Sequence, residues 1–326
     1  MPHNKLLHCL KIEAAKIEQI MHEDLAAVED PLLAEITQYA LFNGGKRVRP
    51  ALVVLAARLG GRVDEAAYRL AIAFEYLHVA TLLHDDVIDH ADRRRGRPAA
   101  NKIYGNSPAI LSGDYLHARS LFLIGTLGGN RCLEIICRAT AAMVAGEFLQ
   151  MRNAGNLNQS EQDYFTVVEN KTAFLIAAAC EIGAIFAGHA ETNRQALRAY
   201  GFKLGKAFQL IDDLLDYQGD PGQTGKAVGN DFCEGKMTLP LIHAMATAAP
   251  TDRDLFMALL TGPRQERQNQ LDTARSLIER YGGFHYAGQQ AELLIDQALA
   301  GLDIFAAGDA KDLLVDLAHY VLARDK

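Results

Sequence analysis

The chain has no tryptophan and only nine prolines, none of which falls between Ala109 and Asp220. No proline ring interrupts that stretch, which permits several long helices there. Alternating apolar and polar residues joined by hairpin turns are also missing, which excludes sandwiches and barrels and leaves an all-α fold. No apolar run reaches the roughly eighteen residues of a membrane span. The first residues, with His3, Lys5, His8, Lys11 and Glu13, contain no apolar signal core. Positive charge is not in surplus: 33 Lys and Arg stand against 40 Asp and Glu, for a net charge of −7. That balance excludes an ordinary nucleic-acid partner. The five cysteines (Cys9, Cys132, Cys137, Cys180, Cys233) lack CxxC spacing. They suit reduced thiols and a cytoplasmic location rather than a disulfide framework or a zinc site.

What the chain does have is a substantial core and a repeated acidic motif. Its 326 residues are 49% hydrophobic and 22% charged, with no linker or composition break, so one domain over 1–326 is expected. Seven of the prolines (Pro31, Pro50, Pro98, Pro108, Pro240, Pro250 and Pro263) fall at helix starts or ends. Ser160 and Asp163 form a capping-box pattern opening a helix toward Ile185. Loops are expected at Asn43–Gly45, Ala91–Ala100, Asn153–Gln159 and Gly219–Gly235. The second and fourth follow the acidic motifs and carry the Arg, Lys and Gly of a lid over phosphates.

The motif is Asp-Asp-x-x-Asp, present as Asp85-Asp86-Val87-Ile88-Asp89 and as Asp212-Asp213-Leu214-Leu215-Asp216. Its first and last aspartates are four residues apart and share one helix face. Leu82, Leu83, Val87 and Ile88 frame the first copy; Leu210, Ile211, Leu214 and Leu215 frame the second. Carboxylates clustered in apolar company repel and are costly to desolvate unless a cation pairs with them. Two such faces opposed across a cleft would suit a hard, oxygen-loving cation. Mg²⁺ fits best, because it is commonly held by few carboxylates plus substrate phosphates.

Cations answer these carboxylates. Gly44-Gly45-Lys46-Arg47-Val48-Arg49-Pro50 sets three of them beside a glycine pair at a helix start, a pattern suited to a diphosphate. Arg93-Arg94-Arg95-Gly96-Arg97 follows the first motif and can grip phosphate oxygens bidentately. Gly225-Lys226 and Gly235-Lys236 follow the second. They do not make a Walker loop, because the GxxxxGK[ST] spacing fails and a helix precedes them. His78 lies two turns before Asp85, on nearly the same face. Lys171-Thr172 is a polar pair in an apolar helix, and Gln209 stands three residues before Asp212; both are candidates to face a developing cation.

With these motifs in view, residues 43–240 resemble the trans-prenyl diphosphate synthases, and Gly225–Pro240 resembles the long-chain bacterial members. The resemblance implies an all-α isoprenoid-synthase bundle around a deep central cleft, usually homodimeric. It implies that Asp85, Asp89 and Asp212, supported by Asp86, Asp213 and Asp216, bind about two or three Mg²⁺ ions on an allylic diphosphate. Arg94, Lys171, Lys226 and Lys236 would contact that diphosphate. Lys46, Arg49, His78 and Arg95 would hold isopentenyl diphosphate, and Thr172 and Gln209 would lie near the carbocation. Ala80 and Thr81, small residues where short-chain members carry an aromatic floor, leave the product tunnel open. Phe74 or Phe122 would form the floor. At about one isoprene unit per helix turn, a product of about C30 to C50 follows, with octaprenyl favoured, for quinone side chains.

Three alternatives are weighed against this. A phosphohydrolase marked by a His-Asp pair, which His84-Asp85 imitates, needs several His ligands and has no use for a repeated pentad. A terpene cyclase normally replaces the second pentad with a mixed Asn/Ser/Glu motif. A non-catalytic regulatory subunit typically loses aspartates or cations, and none is missing.

Overall fold

The computed structural model describes residues 2–62, 64–219 and 228–323. It is helical almost throughout, as the missing strand pattern implied. The chain forms two compact units, one of Met1–Arg138, Ala178–Arg198 and Ile304–Asp316, the other of Ala139–Ala177, Ala199–Asp303 and Leu317–Lys326.

In the first unit, α1 (Pro2–Leu25), α2 (Pro31–Leu41) and α3 (Val48–Leu59) pack with α4 (Glu65–Ile88). Asp30 caps α2 by accepting from Leu33 N at 2.9 Å, directly before Pro31. Residues Pro50–Ala57 of α3 and most of α4 from Ala67 to Leu77 are buried, so these helices are apolar all round rather than on one stripe. Gly183 permits a close approach to α3, since a Cβ there would lie 2.4 Å from Val53 O. The loop expected at 91–100 is instead a minimal antiparallel hairpin, β1 (Arg93–Arg94) and β2 (Arg97–Pro98). Arg95 and Gly96 both have positive φ, 50° and 78°, the requirement of the tight hairpin turn that matches strand twist. After α5 (Ala100–Tyr104) comes α6 (Asn106–Asn153), the 48-residue product of the proline-free stretch. It is broken only at Gly129 (φ 73°, ψ −175°).

In the second unit, Ser160 Oγ accepts from Asp163 N at 3.1 Å and the Asp163 carboxylate accepts from Ser160 N at 2.9 Å. This capping box opens α7 (Glu161–Val168). The helix then widens into a π-turn at Glu169–Ala173 before continuing as α8 (Phe174–Phe186), which belongs to the first unit from Ala178 onward. After α9 (Glu191–Gln218), which belongs to this unit from Ala199, come the short α10 (Asn230–Glu234), α11 (Leu239–Thr247), α12 (Pro250–Thr261), α13 (Arg264–Asn269), α14 (Leu271–Arg280) and α15 (Gly283–Ala300), with α16 (Asp309–Leu322) last and part of this unit from Leu317. Contacts of α11 with α14 and α15 build the core of this unit.

Candidate active site

Both acidic motifs lie at helix C-termini. The first occupies the last turn of α4, with Asp89 as its C-cap, and the second occupies the last two turns of α9. The carbonyl end of a helix carries partial negative charge, so carboxylates there are unfavourable until a cation joins them. Within each motif the aspartates separate by environment. On α4, Asp85 is half-buried and Asp89 exposed, whereas Asp86 is buried. Asp86 accepts from Arg94 Nε at 2.9 Å and also from Arg94 Nη2. On α9, Asp213 is buried and both its oxygens are occupied, by Tyr164 Oη at 2.6 Å and Gln209 Nε2 at 2.9 Å. Asp216 accepts from the backbone N–H groups of Asn230 at 3.2 Å and Asp231 at 2.9 Å. Asp86 and Asp213, expected to support metal binding, therefore face protein donors, for the plain reason that i and i+1 point to different sides of a helix.

In the first unit the structure gathers Arg49, His78, Arg94 and Arg95. Burial pushes the His78 imidazolium well below its usual pKa, helped by the charges of Arg49, Arg95, Arg94 and Arg47, so His78 is neutral. Arg49 and Arg95 are lowered chiefly by burial, with Glu75 opposing, and Arg49 Nε is buried without a hydrogen-bond partner. Arg47, expected among the three cations of the glycine turn, is instead a core residue. It is 2% exposed, bonds Glu18 at 2.8 Å, Glu75 at 2.6 Å and Leu41 O at 2.7 Å, and takes φ 50° at the start of α3. Lys46 remains exposed. The hairpin is docked rather than open: Arg95 donates to the carbonyls of Asn43 and Gly44, and Asn43 Nδ2 donates to Arg94 O at 3.3 Å. Gly45 is required at that contact, because at φ 132° its added Cβ would lie 2.9 Å from Arg95 Nη1.

In the second unit, Lys171, Thr172, Gln209, Asp213 and Lys236 line one cavity of about 360 Å³, within the range of small-ligand sites. The π-turn carries Lys171 and Thr172, and such turns interrupt helices frequently at functional sites. Two glycines make room for it. A Cβ on Gly146 of α6 would lie 2.8 Å from Lys171 Cγ, and one on Gly205 of α9 would lie 2.7 Å from Ala173 Cα. Lys171 Nζ is held by Glu147 at 2.7 Å and Gln150 at 2.8 Å. Lys236 meets Asp231 at 3.1 Å and Glu234 at 2.8 Å; burial works against its charge, but these acids outweigh burial and raise its pKa. Burial and then Asp231 raise Asp213 and push Asp216 up to about 6.

Of the segment expected as a lid over 219–235, residues 229–235 are anchored, and 220–227 lie outside the described residues. Arg267 donates to Cys233 O at 2.8 Å, Leu260 O at 3.1 Å and Gly262 O at 2.9 Å. Lys226 lies outside the described residues. Of the product-length candidates, Thr81 is half-buried on the face of His78 and Asp85, whereas Ala80 is only 2% exposed. Phe74 is fully buried, and Phe122 is 55% exposed beneath the Arg119 guanidinium.

The Polyprenyl synthetase family model matches residues 30–278. The chain belongs to the polyprenyl synthetase family. That makes it a prenyltransferase of isoprenoid biosynthesis with the all-α isoprenoid-synthase fold, as the motifs implied. Octaprenyl diphosphate synthase of Escherichia coli (strain K12) is 36% identical over 321 residues, spanning 95% of this chain and 99% of that protein. A decaprenyl diphosphate synthase from Rhodobacter capsulatus is 38% identical with a TM-score of 0.90, covering 99% of each chain. A polyprenyl synthase from Caulobacter crescentus CB15, solved with calcium and isoprenyl diphosphate, is 36% identical with a TM-score of 0.89, covering 99% of this chain and 98% of that one.

Sequence reasoning missed Tyr164, Asp231, Glu147 and Gln150. Tyr164 stands seven residues before Lys171, two helix turns, and Glu147 and Gln150 are an i, i+3 pair directly after Gly146. Both spacings were available as signals.

Proposed function

We propose that the chain adds successive isopentenyl diphosphate units to an allylic diphosphate and releases a long trans-polyprenyl diphosphate, of about C30 to C50 by the turn-per-unit estimate. Octaprenyl diphosphate, for quinone side chains, is the favoured product, and residues 1–326 act as one catalytic domain. The observation that carries this reading is the cavity lined together by Lys171, Thr172, Gln209, Lys236 and an aspartate of the second motif. It joins phosphate-binding cations to uncharged oxygens suited to a carbocation.

Asp85, Asp89 and Asp212 would hold Mg²⁺, about two or three ions, as the resemblance implies. The donor set fits: these are hard oxygen ligands at negative helix ends. Among the described residues no group of three or more His, Cys, Asp or Glu converges on a metal position. When bound, Mg²⁺ supplies Lewis-acid neutralisation of the departing diphosphate. Lys171, Lys236 and Arg94 bind that group from the protein side, and Lys226 takes the same role from sequence. Lys46, Arg49, Arg95 and neutral His78 orient isopentenyl diphosphate as donors that cost no reorganisation. Thr172 and Gln209 face the developing positive charge while the walls exclude water. The departing diphosphate takes the proton from C2.

A homodimer belongs to this reading, supported by Leu111 and Phe122, which are 64% and 55% exposed three turns apart on α6. So does a cytoplasmic location, supported by five free cysteines. Among the described residues no helix is long and apolar enough to cross a membrane. The phosphohydrolase reading loses its His-Asp pair, since His84 Nε2 lies 3.1 Å from Ile110 O and 3.4 Å from Asp114. The experiment is Asp85→Ala and Asp212→Ala, each expected to lower Mg²⁺-dependent condensation by about 10²-fold or more. Condensation that persists at wild-type rate in either variant defeats the proposal.

A further inference from the structure

The hydrogen bonds along the cavity wall of the second unit have a direction. Tyr164 Oη donates to Asp213 Oδ2 at 2.6 Å, and Gln209 Nε2 donates to Asp213 Oδ1 at 2.9 Å. Thr172 Oγ1 donates to Gln209 Oε1 at 3.0 Å. An amide offers protons on one side and lone pairs on the other. Asp213 takes the NH₂ of Gln209, which leaves the Gln209 carbonyl for Thr172. The single proton of Thr172 is then committed, and its lone pairs are left for the cavity it lines.

We propose that Asp213 and Tyr164 are positioning residues that set the polarity of this chain, so that Thr172 presents electron density rather than a proton to the cationic centre. The proposal rests on the prenyl-transfer reading above. It also assigns Asp213 a task other than metal binding. Buried and with both oxygens occupied, it acts through Gln209, and Tyr164 acts through Asp213.

The polarity argument makes an unusual demand on substitutions. In Asp213→Asn, the buried Tyr164 hydroxyl still needs an acceptor, and it takes the new amide oxygen. The new NH₂ then faces Gln209, whose amide flips and donates to Thr172. The Thr172 proton turns into the cavity. Removing the phenol hydroxyl as well, in Tyr164→Phe/Asp213→Asn, releases the new amide to turn its oxygen back to Gln209. The original direction returns. Both variants lack the carboxylate charge, so their comparison isolates hydrogen-bond direction.

The test measures kcat, KM for both substrates and the Mg²⁺ half-saturation for wild type, Asp213→Asn and the double variant, with thermal melts to verify folding. We expect Asp213→Asn to lower kcat by about 10²-fold with KM and Mg²⁺ requirement little changed, as for loss of one oriented dipole. The double variant should recover at least about ten-fold of that loss. In a Gln209→Met background, where the chain is cut, Asp213→Asn should cost no further kcat. A double variant no faster than Asp213→Asn overturns the proposal, as does a raised Mg²⁺ requirement in Asp213→Asn or a further loss in the Met background. A wild-type chain that joins no isoprene units overturns the prenyl-transfer reading and this proposal together. An active wild type without recovery overturns this proposal alone.

Discussion

Gly205→Ala places one methyl group where α9 meets the π-turn, and its effect follows from the contact. The added Cβ would lie 2.7 Å from Ala173 Cα, 0.7 Å short of the 3.4 Å at which ordinary contact begins. Ala173 is the last residue of the π-turn and adjoins Thr172, so the backbone that aims Lys171 and Thr172 must yield. Overpacking of this kind costs about 1–3 kcal/mol, against a gain of about 0.5–1 kcal/mol for Ala over Gly within a helix. The net loss of about 0–2.5 kcal/mol lowers Tm by a few degrees, at about 2–4 °C per kcal/mol. Activity should suffer more than stability. A misplacement near 1 Å costs about 10²-fold, so a shift of several tenths of an ångström should lower kcat/KM by about ten-fold or more. Gly288→Ala is the control: nothing lies within 4 Å of its Cβ, so it should stabilise slightly and leave catalysis alone. Thermal melts and initial rates on the two variants decide the matter. Wild-type kcat/KM in Gly205→Ala would show that the π-turn does not aim the reacting groups.

Other expectations can be checked alongside. Arg47→Ala breaks a buried ion cluster and should cost about 3–5 kcal/mol by chemical denaturation. Lys46→Ala should leave stability unchanged and raise KM for isopentenyl diphosphate; the opposite pattern would exchange their assigned roles. His78 is depressed in the folded state, so it binds a proton more weakly there than in the unfolded chain. Its contribution to stability is present above about pH 6.5 and is lost as the pH falls below that value. Wild type should therefore lose stability more steeply than His78→Gln below pH 6.5, and equal slopes in acid titration melts would contradict a buried neutral imidazole. Thr81→Phe, on the face shared with His78 and Asp85, should shorten the product by chromatography of the dephosphorylated chains. Ala80→Phe should shorten it too while costing about 1–3 kcal/mol through overpacking. An unchanged distribution in both removes these residues from the tunnel wall.

The helices were legible because their signals are local. The proline-free stretch became α6, Pro31 and Ser160 with Asp163 opened helices as their types require, and the two pentads lay on helices as spaced. What local pattern could not reveal was direction and partner. Adjacent aspartates look alike in sequence, yet a rotation of about 100° per residue buries Asp86 against Arg94 and leaves Asp85 half-buried. Arg47 reads like its basic neighbours, but Glu18 and Glu75, distant in sequence, draw it into the core. The two-residue turn at Arg95-Gly96 was hidden because an arginine rarely takes positive φ. The π-turn was hidden for a related reason. Its cause is the room left by Gly146 and Gly205, and nothing in Glu169–Ala173 itself signals it.

The most direct measurement of the account is a turnover of the purified chain, alone, with farnesyl diphosphate, labelled isopentenyl diphosphate and Mg²⁺. The account predicts a ladder of carbon–carbon-joined chains ending at about C30 to C50, a span set by roughly one isoprene unit per helix turn. Release of diphosphate with no chain growth, or growth that begins only when a second protein is added, would contradict it.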